Sequence, residues 1–296
     1  MDAATFEIQS LFYQNAFAGC IALARQQAPS GPVDEVSLLR LVYAARASIA
    51  LGDLAGARQL LGDDAESPMA MSVLFLADYL ETIRTVGLEE SDSILEQLQM
   101  LLDVVEPGDL SSEIVRYNVG LALFERGESQ AALETLGVTG AGGSTELECI
   151  ALGVHILLAI HRVDLAEKEY LAARQWGDDA LLVQFMEAWI GLVRGGRSTQ
   201  QAYYVYDEMS QNSNIVNTAN MVPLLVGKAV AQAAQGEANA ASATLSEAEA
   251  LDAAYPGVAA NRAVVTALSG ETSADAANAA ARYVIVACAK LSLIHI

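Results

Sequence analysis

Apolar residues recur every three or four positions over long stretches of the chain, and short breaks rich in Gly, Pro, Ser and Asn separate these stretches. That periodicity is typical of helices with one buried face, and few segments alternate with the period of two that a strand requires. The breaks fall at 28–34, 62–68, 106–112, 137–145 and 210–217. The pattern therefore predicts an all-α chain of helices joined by short turns.

Three stretches share a Gly, an Ala five residues later and a Leu four residues beyond: GDLAGARQLL from Gly52, GESQAALETL from Gly127 and GEANAASATL from Gly236. The Gly ends one helix, and the Ala lets the next helix approach it closely. We call the position of this small residue the anchor. Equivalent anchors recur 34 to 39 residues apart, at Cys20, Ala57, Ile94, Ala132, Ala166, Ala202, Ala241 and Ala276.

A helix-turn-helix unit of this length, with small residues on both helices, is the signature of a tetratricopeptide (TPR) repeat. Residues able to pack stand four positions after each anchor, and Ala45, Gly120 and Ala229 stand twelve positions before three of them. We predict a right-handed α-solenoid of about eight TPR-like repeats, forming one domain over 1–296. An irregular helical bundle with coincidental spacing is the alternative.

The first helix of each pair in a solenoid lines its concave wall, and inward positions fall about 15, 11 and 8 residues before each anchor. These positions predict a mostly apolar wall suited to a partner segment bound through buried side chains. Arg46 is its one basic residue, so a clamp for an acidic peptide tail is not favoured; ordinary packing between helices explains each position equally well. The predicted wall residues are Val42, Arg46, Ile49, Tyr117, Leu121, Phe124, Ala151, His155, Leu158, Val226, Val230 and Ala233.

Net charge limits the classes of partner, and cysteine usage indicates the redox compartment. The chain has 16 Lys and Arg against 37 Asp and Glu, a net charge of −21. Such a surface repels phosphate backbones and anionic lipids, so it argues against nucleic acid and direct membrane adhesion. Cys20, Cys149 and Cys288 form no disulfide or zinc pattern, which indicates a reducing compartment. The acidic start MDAATFEIQS does not resemble a signal peptide.

The sequence predicts no catalytic, metal or cofactor site. His155 and His161 are six residues apart, on different faces of a helix, and His295 is remote. His161 occupies a turn position equivalent to Gly52, which predicts a solvated histidine. No phosphate-binding, dinucleotide-binding or zinc-protease motif occurs. An enzyme with a helical-bundle fold is a further alternative, and it would require a polar pocket lined by His155 and carboxylates.

The block from Leu157 to Gln211 carries a more specific signal. It contains HRVDLAEKEY (161–170), the pair Ala188-Trp189 and AYYVYDEM (202–209), and it closely resembles the epsilon subunit of coatomer, the COPI vesicle coat. Weaker likeness covers roughly 6–285, including 34–54, 90–98 and 234–257. The resemblance implies a non-catalytic TPR spiral that curls into an incomplete ring around the C-terminal region of the coatomer alpha subunit and stabilises it.

The same resemblance implies a role in retrograde Golgi-to-ER and intra-Golgi transport, in the cytoplasm and, within the coat, peripheral on Golgi membranes. The end of the chain departs from the family, because RYVIVACAKLSLIHI is apolar where a polar closing helix is expected. This departure predicts either a missing closing segment or a partner over the tail, 286–296. A generic TPR adaptor for short peptide tails is the alternative function.

The motif AYYVYDEM contains three tyrosines whose environments are expected to differ. Ala202, Tyr206 and Met209 fall on one helix face, so Tyr206 is predicted to lie in the repeat core. Tyr203 and Tyr204 point away from that face, towards a neighbouring repeat or outwards.

Overall fold

The computed structural model of the chain describes residues 2–28, 34–62, 66–106, 108–138, 144–215 and 218–268. Every regular element within these ranges is a helix, and they contain no strand, which confirms the predicted all-α class. The chain divides into two compact units, Met1–Ile156 and Leu157–Ile296. A single domain, a right-handed superhelix and an incomplete ring stay predictions. The anchor Ala276 and the tail 286–296 lie outside the described residues.

The first unit holds eight complete helices and most of a ninth in its described part. Asp2, Asp34 and Asp53 cap helices here, because each side chain accepts a hydrogen bond from a backbone N–H of the first turn. The helices are α1 (Ala3–Tyr13), α2 (Phe17–Gln26), α3 (Glu35–Ala50), α4 (Leu54–Leu61), α5 (Pro68–Thr85), α6 (Asp92–Met100), α7 (Leu110–Arg126), α8 (Ser129–Leu136) and α9 (Leu147–Ala159), with short 3-10 turns at Glu89–Ser91 and Leu101–Asp103.

Six helices follow in the described part of the second unit. Prolines at the first helical positions start two of them, at Pro223 and Pro256, where a missing N–H costs nothing. The helices are α10 (Val163–Gly177), α11 (Leu181–Arg194), α12 (Ser198–Ser210), α13 (Val222–Ala234), α14 (Ala238–Leu251) and α15 (Pro256–Thr266), with a 3-10 turn at Ala219–Met221.

The helices pack as consecutive pairs. In the first unit α1 packs against α2, α3 against α4, α5 against α6 and α7 against α8; in the second, α11 packs against α12 and α13 against α14. The first helices of successive pairs also contact each other: α3 contacts α5, α5 contacts α7 and α13 contacts α15. Contact between each pair and the next is the arrangement of an α-solenoid.

Most anchors lie where the repeat pattern places them. Cys20, Ala57, Ala132, Ala202 and Ala241 are completely buried on the second helix of a pair, and Ala166 is completely buried on α10. Ile94 is only half-buried, whereas its neighbours Ser91 and Leu95 are buried. Ile94 is therefore not completely buried as the other anchors are, whereas Leu98, four residues after it, is.

Gly120 shows why a small residue is required on the first helix. A Cβ atom at Gly120 would lie 2.7 Å from Cδ2 of Leu136, so only glycine lets α7 and α8 approach this closely. Leu136 stands four residues after the anchor Ala132 and is fully buried. The predicted close contact between the two helices of this repeat is confirmed.

The predicted turn at His161 is also confirmed. His161 is exposed and has a φ of 62°, in the left-handed region that equivalent turns fill with glycine. Gly52, in the corresponding turn between α3 and α4, has a φ of 78°. A solvated turn residue is therefore the correct interpretation of this histidine.

Candidate partner-binding wall

The twelve predicted wall residues all lie on first helices, but the chain itself covers most of them. Val42, Arg46 and Ile49 belong to α3, and Tyr117, Leu121 and Phe124 belong to α7. Ile49 and Ala233 are half-buried. The remaining ten are buried: Val42, Arg46, Tyr117, Leu121, Phe124, Ala151, His155, Leu158, Val226 and Val230. In this structure they pack within the chain, and their contact with a partner stays a prediction.

Arg46 forms an ion pair with Glu148, and both side chains are buried. Arg46 Nη1 lies 2.8 Å from Glu148 Oε2, with 6% of the arginine side chain and 1% of the glutamate side chain exposed. Glu148 stands in the first turn of α9, where the exposed N–H groups of the helix favour a negative charge. The pair joins α3 to α9 across 102 positions of sequence.

Aromatic rings surround the ion pair. The guanidinium carbon of Arg46 lies 4.7 Å from the ring centre of Tyr117 and 5.2 Å from that of Tyr43. Tyr43 OH donates to Glu148 Oε1 at 2.6 Å, and Tyr13 OH donates to the same oxygen. Both charges are therefore compensated by an opposite charge and by hydrogen bonds, as buried charges require. We call these five residues the Arg46–Glu148 cluster.

The electrostatics of the cluster favour the charged ion pair. Burial raises the pKa of Tyr13 and of Tyr43 well above the usual value, and the neighbouring charge of Glu148 raises both further. Burial by itself lowers the pKa of Arg46, but Glu148 and the three surrounding tyrosines together more than offset this, so the net pKa is raised. The tyrosines thus stay protonated donors and Arg46 stays a cation.

The sequence identified two of the five residues of this cluster. Arg46 and Tyr117 were wall positions, whereas Glu148, Tyr13 and Tyr43 were not predicted. An arginine inside the apolar run of α3 is a signal that some anion must be near, because an unpaired buried charge is costly. Spacing could not identify the anion, because the partner lies more than a hundred residues away and belongs to another repeat.

His155 lies in an apolar environment in the first unit. It is 1% exposed, and the Phe124 ring packs edge-on against it at 6.2 Å between centroids. Burial lowers the pKa of His155 to about 3. This position does not suit an acid or a base that works near neutral pH. Among the described residues, no group of three or more His, Cys, Asp or Glu could hold a metal ion.

We predict that His155 makes stability fall as the pH is lowered. Below about pH 6.5 the histidine is protonated in the unfolded chain but stays neutral in the folded one. The free energy of unfolding therefore falls by about 1.4 kcal/mol per pH unit until the pH reaches the folded pKa of about 3. In urea unfolding between pH 5 and 7, the slope of stability against pH should differ by this amount between wild type and His155→Gln. The exposed His161→Asn is the control and should leave the slope unchanged.

Glu113 contributes with the opposite sign, so single variants are needed. Burial first, and then the charges of Glu148 and Glu146, raise the pKa of Glu113 to about 7. The folded carboxyl therefore holds its proton to higher pH than the unfolded one, and the resulting stability is lost as the pH rises through 7. In wild type the contributions of Glu113 and His155 to the slope of stability against pH oppose each other. The difference in this slope between wild type and His155→Gln isolates the contribution of the histidine. Equal slopes in both would contradict a neutral buried His155.

A surface groove in the second unit contains carboxylates but no histidine. Its walls come from α10, α11 and α12 of that unit. It is open to solvent. The combination of His155 with carboxylates in one pocket, which an enzyme would need, does not occur there. The lining residues are Glu167, Tyr170, Leu171, Glu187, Ile190, Gly191, Arg194, Ser198 and Gln201.

The stacked helix pairs define a helical-repeat protein of the TPR type. None of its described helices is both long and apolar enough to cross a bilayer. The chain belongs to the coatomer epsilon subunit family, whose model matches residues 1–285. The resemblance seen in the block 157–211 is thereby confirmed, and the chain is assigned to a component of the COPI coat.

Curated relatives agree with the family. The chain is 28% identical over 268 residues to coatomer subunit epsilon-1 of Arabidopsis thaliana, covering 90% of this chain and 85% of that protein. It is 31% identical over 201 residues to coatomer subunit epsilon-2 of Oryza sativa subsp. indica, covering 67% and 62%. A solved tetratricopeptide repeat protein from Parabacteroides merdae covers 86% of this chain and 98% of its own, with a TM-score of 0.49 and 14% identity.

Proposed function

We propose that this chain is a non-catalytic structural subunit of coatomer that binds and stabilises the C-terminal region of the alpha subunit. It would do so as a one-to-one complex, in the cytoplasm and, with the rest of the coat, at the surface of Golgi membranes and COPI vesicles. Its role would be in retrograde Golgi-to-ER and intra-Golgi transport. The observation that carries this proposal is the family match over residues 1–285.

The character of the wall supports binding through apolar contacts. Of the twelve wall residues, Ile49 and Ala233 are the least covered by the chain, and both are apolar. Arg46, the one cation of the wall, is already paired with Glu148. A partner segment would therefore be held by burial of apolar side chains, with little contribution from charge.

Co-expression with the C-terminal region of a coatomer alpha subunit tests the proposal. A single one-to-one peak is expected on size exclusion, and it should persist at about 1 M salt, where exposed charges are screened beyond about 3 Å. Ala233→Arg should abolish or strongly weaken the complex, because it places a charge at the half-buried wall position of α13. Separate elution of the two wild-type proteins would refute the proposal.

A matched control is available on the neighbouring helix. Ala243 is exposed on α14, the second helix of the same pair, so Ala243→Arg adds the same charge away from the wall. It should leave the complex intact. If both variants weakened the complex equally, the wall would have no special role, although the subunit could still bind alpha elsewhere.

The adaptor alternative receives no support from Arg46. That alternative expects Arg46 to contribute to holding a peptide tail, so that reversing its charge weakens binding. The guanidinium is instead buried among three rings and paired with Glu148. We therefore propose the coat subunit alone.

A further inference from the structure

The groove in the second unit differs from the wall in position and in chemistry. It lies between two second helices, α10 and α12, and the C-terminal half of the first helix α11. None of the twelve wall residues lines it. A ligand of this groove would therefore be separate from a segment bound along the wall.

Apolar surface is available on one side of the groove. Ile190 of α11 is buried beneath it at 6% exposure, whereas Leu171 on α10 is 55% exposed. Gly191 lies beside Ile190, where an added Cβ would be 2.8 Å from the backbone oxygen of Ser198. The glycine keeps α11 close to the start of α12 and leaves the floor of the groove without a side chain. An apolar side chain of a partner could thus pack against Leu171.

The carboxylates that line the groove outnumber its basic side chains by one. Glu167 pairs with Arg194 at 2.6 Å, and on the adjacent surface Arg174 pairs with Asp178 at 2.9 Å. Glu187, which is half-buried, forms no ion pair of its own among the described residues, because Arg174, the cation that interacts with it, is already paired with Asp178. A half-buried carboxylate beside apolar surface attracts a cation more strongly than a fully solvated one, because water screens it less.

Tyr170 keeps this carboxylate in place. Its hydroxyl accepts a hydrogen bond from Arg174 Nη1 at 3.2 Å, and it also interacts with Glu187. Burial, followed by the negative charge of Glu187, raises the pKa of Tyr170, so the phenol stays neutral beside the carboxylate. The groove thus presents a positioned anion next to an exposed leucine.

We propose that this groove binds a short segment of a partner protein that places a lysine or arginine against Glu187 and an apolar side chain against Leu171. The overall charge of −21 favours the approach of such a segment, and the groove makes the contact specific. This site is independent of the proposed contact with the alpha subunit, so a coat subunit could hold two partner segments at once.

The test uses the full chain and a labelled eight-residue peptide of alternating leucine and arginine. Binding is measured by fluorescence anisotropy at about 0.15 M salt, where the Debye length is about 8 Å. Glu187→Gln should weaken binding about tenfold, in line with the loss of one charge-assisted hydrogen bond. Leu171→Ser should weaken it about tenfold too, through lost apolar burial. A peptide with serine in place of leucine should lose the sensitivity to Leu171→Ser.

Non-specific attraction to the acidic surface is the main competing outcome. Glu247 is an exposed carboxylate on α14, outside the groove lining, so Glu247→Gln removes the same charge from a different site. It should change binding by less than about twofold, the effect expected of an exposed charge. Equal weakening by Glu187→Gln and Glu247→Gln, or no saturable binding, would overturn the proposal. Retained binding to the alpha region by Glu187→Gln would leave the proposed function intact in either case.

Discussion

Glu148→Gln is expected to destabilise the chain by about 3–5 kcal/mol, the cost typical of breaking one side of a buried ion pair. The substitution keeps the shape of the side chain and an oxygen that can accept hydrogen bonds from Tyr13 and Tyr43. It removes the charge opposite Arg46, whose guanidinium is buried and cannot lose its proton. The loss should appear as a lower midpoint in urea unfolding of the full chain.

A double variant separates the charge from the packing. Arg46→Met together with Glu148→Gln leaves no unpaired charge, so it should recover a large part of the stability lost by Glu148→Gln. Asp164→Asn is the matched surface control, because Asp164 and Arg162 form an exposed ion pair, and it should leave the midpoint of urea unfolding almost unchanged. A cost below about 1 kcal/mol for Glu148→Gln would show that the buried charge pair does not hold α3 to α9.

Hydrogen exchange can locate the effect. Loss of the Arg46–Glu148 cluster should raise amide exchange in α1, α3 and the first turns of α9, because these segments contribute Tyr13, Tyr43 and Glu148. Exchange in α13 and α14 should change little. Uniform acceleration over the whole chain would instead indicate that the variant lowers only global stability.

The repeat could be predicted from sequence because its determinants are local. Gly127, Ala132 and Leu136 fall within ten positions, and together they fix a turn, a close approach and a packed layer. The buried anchors and the contact of Gly120 with Leu136 follow directly from this spacing. Where a turn is longer, as before Ile94, the same reasoning is less accurate: Ile94 is half-buried, although Leu98 is completely buried.

The wall illustrates what local spacing does not contain. Helical periodicity placed Arg46 of α3 and Tyr117 of α7 on the predicted wall, but it did not reveal that Glu148 pairs with Arg46. That contact depends on how first helices of different repeats approach one another, which is set by packing over more than a hundred positions. Similarly, no pattern in the sequence distinguishes Glu187 and Leu171, and only the meeting of three helices makes them a groove.

The tyrosines of AYYVYDEM have the environments that the helix period predicts. Tyr206 is 6% exposed, whereas Tyr204 is 54% exposed. Tyr203 is half-buried and lies against Lys228 of α13, with Nζ 5.8 Å from its ring centre. One tyrosine thus belongs to the core, one faces the neighbouring pair and one points outwards.

Tyr206→Ala should cost about 3–5 kcal/mol, as expected when a large buried aromatic side chain is truncated. Its ring packs 6.2 Å from that of Phe185 on α11 and fills the space in front of Gly227 on α13, where an added Cβ would overlap the ring. The cavity would therefore open between three helices that cannot readily close around it. Tyr206→Phe, which removes only the hydroxyl, should cost about 1 kcal/mol.

Tyr204→Ala, two residues away on the same helix, provides the matched control. Its ring is largely solvated and its hydroxyl accepts only a 3.3 Å hydrogen bond from Gln200, so the cost should stay within about 0.5 kcal/mol. Urea unfolding of both variants measures the difference, and hydrogen exchange should place the loss of Tyr206 in α11, α12 and α13. Similar costs for the two tyrosines would mean that this motif does not form a repeat core. A large difference would establish that Tyr206, four residues after the anchor Ala202, joins its own helix pair to the next one.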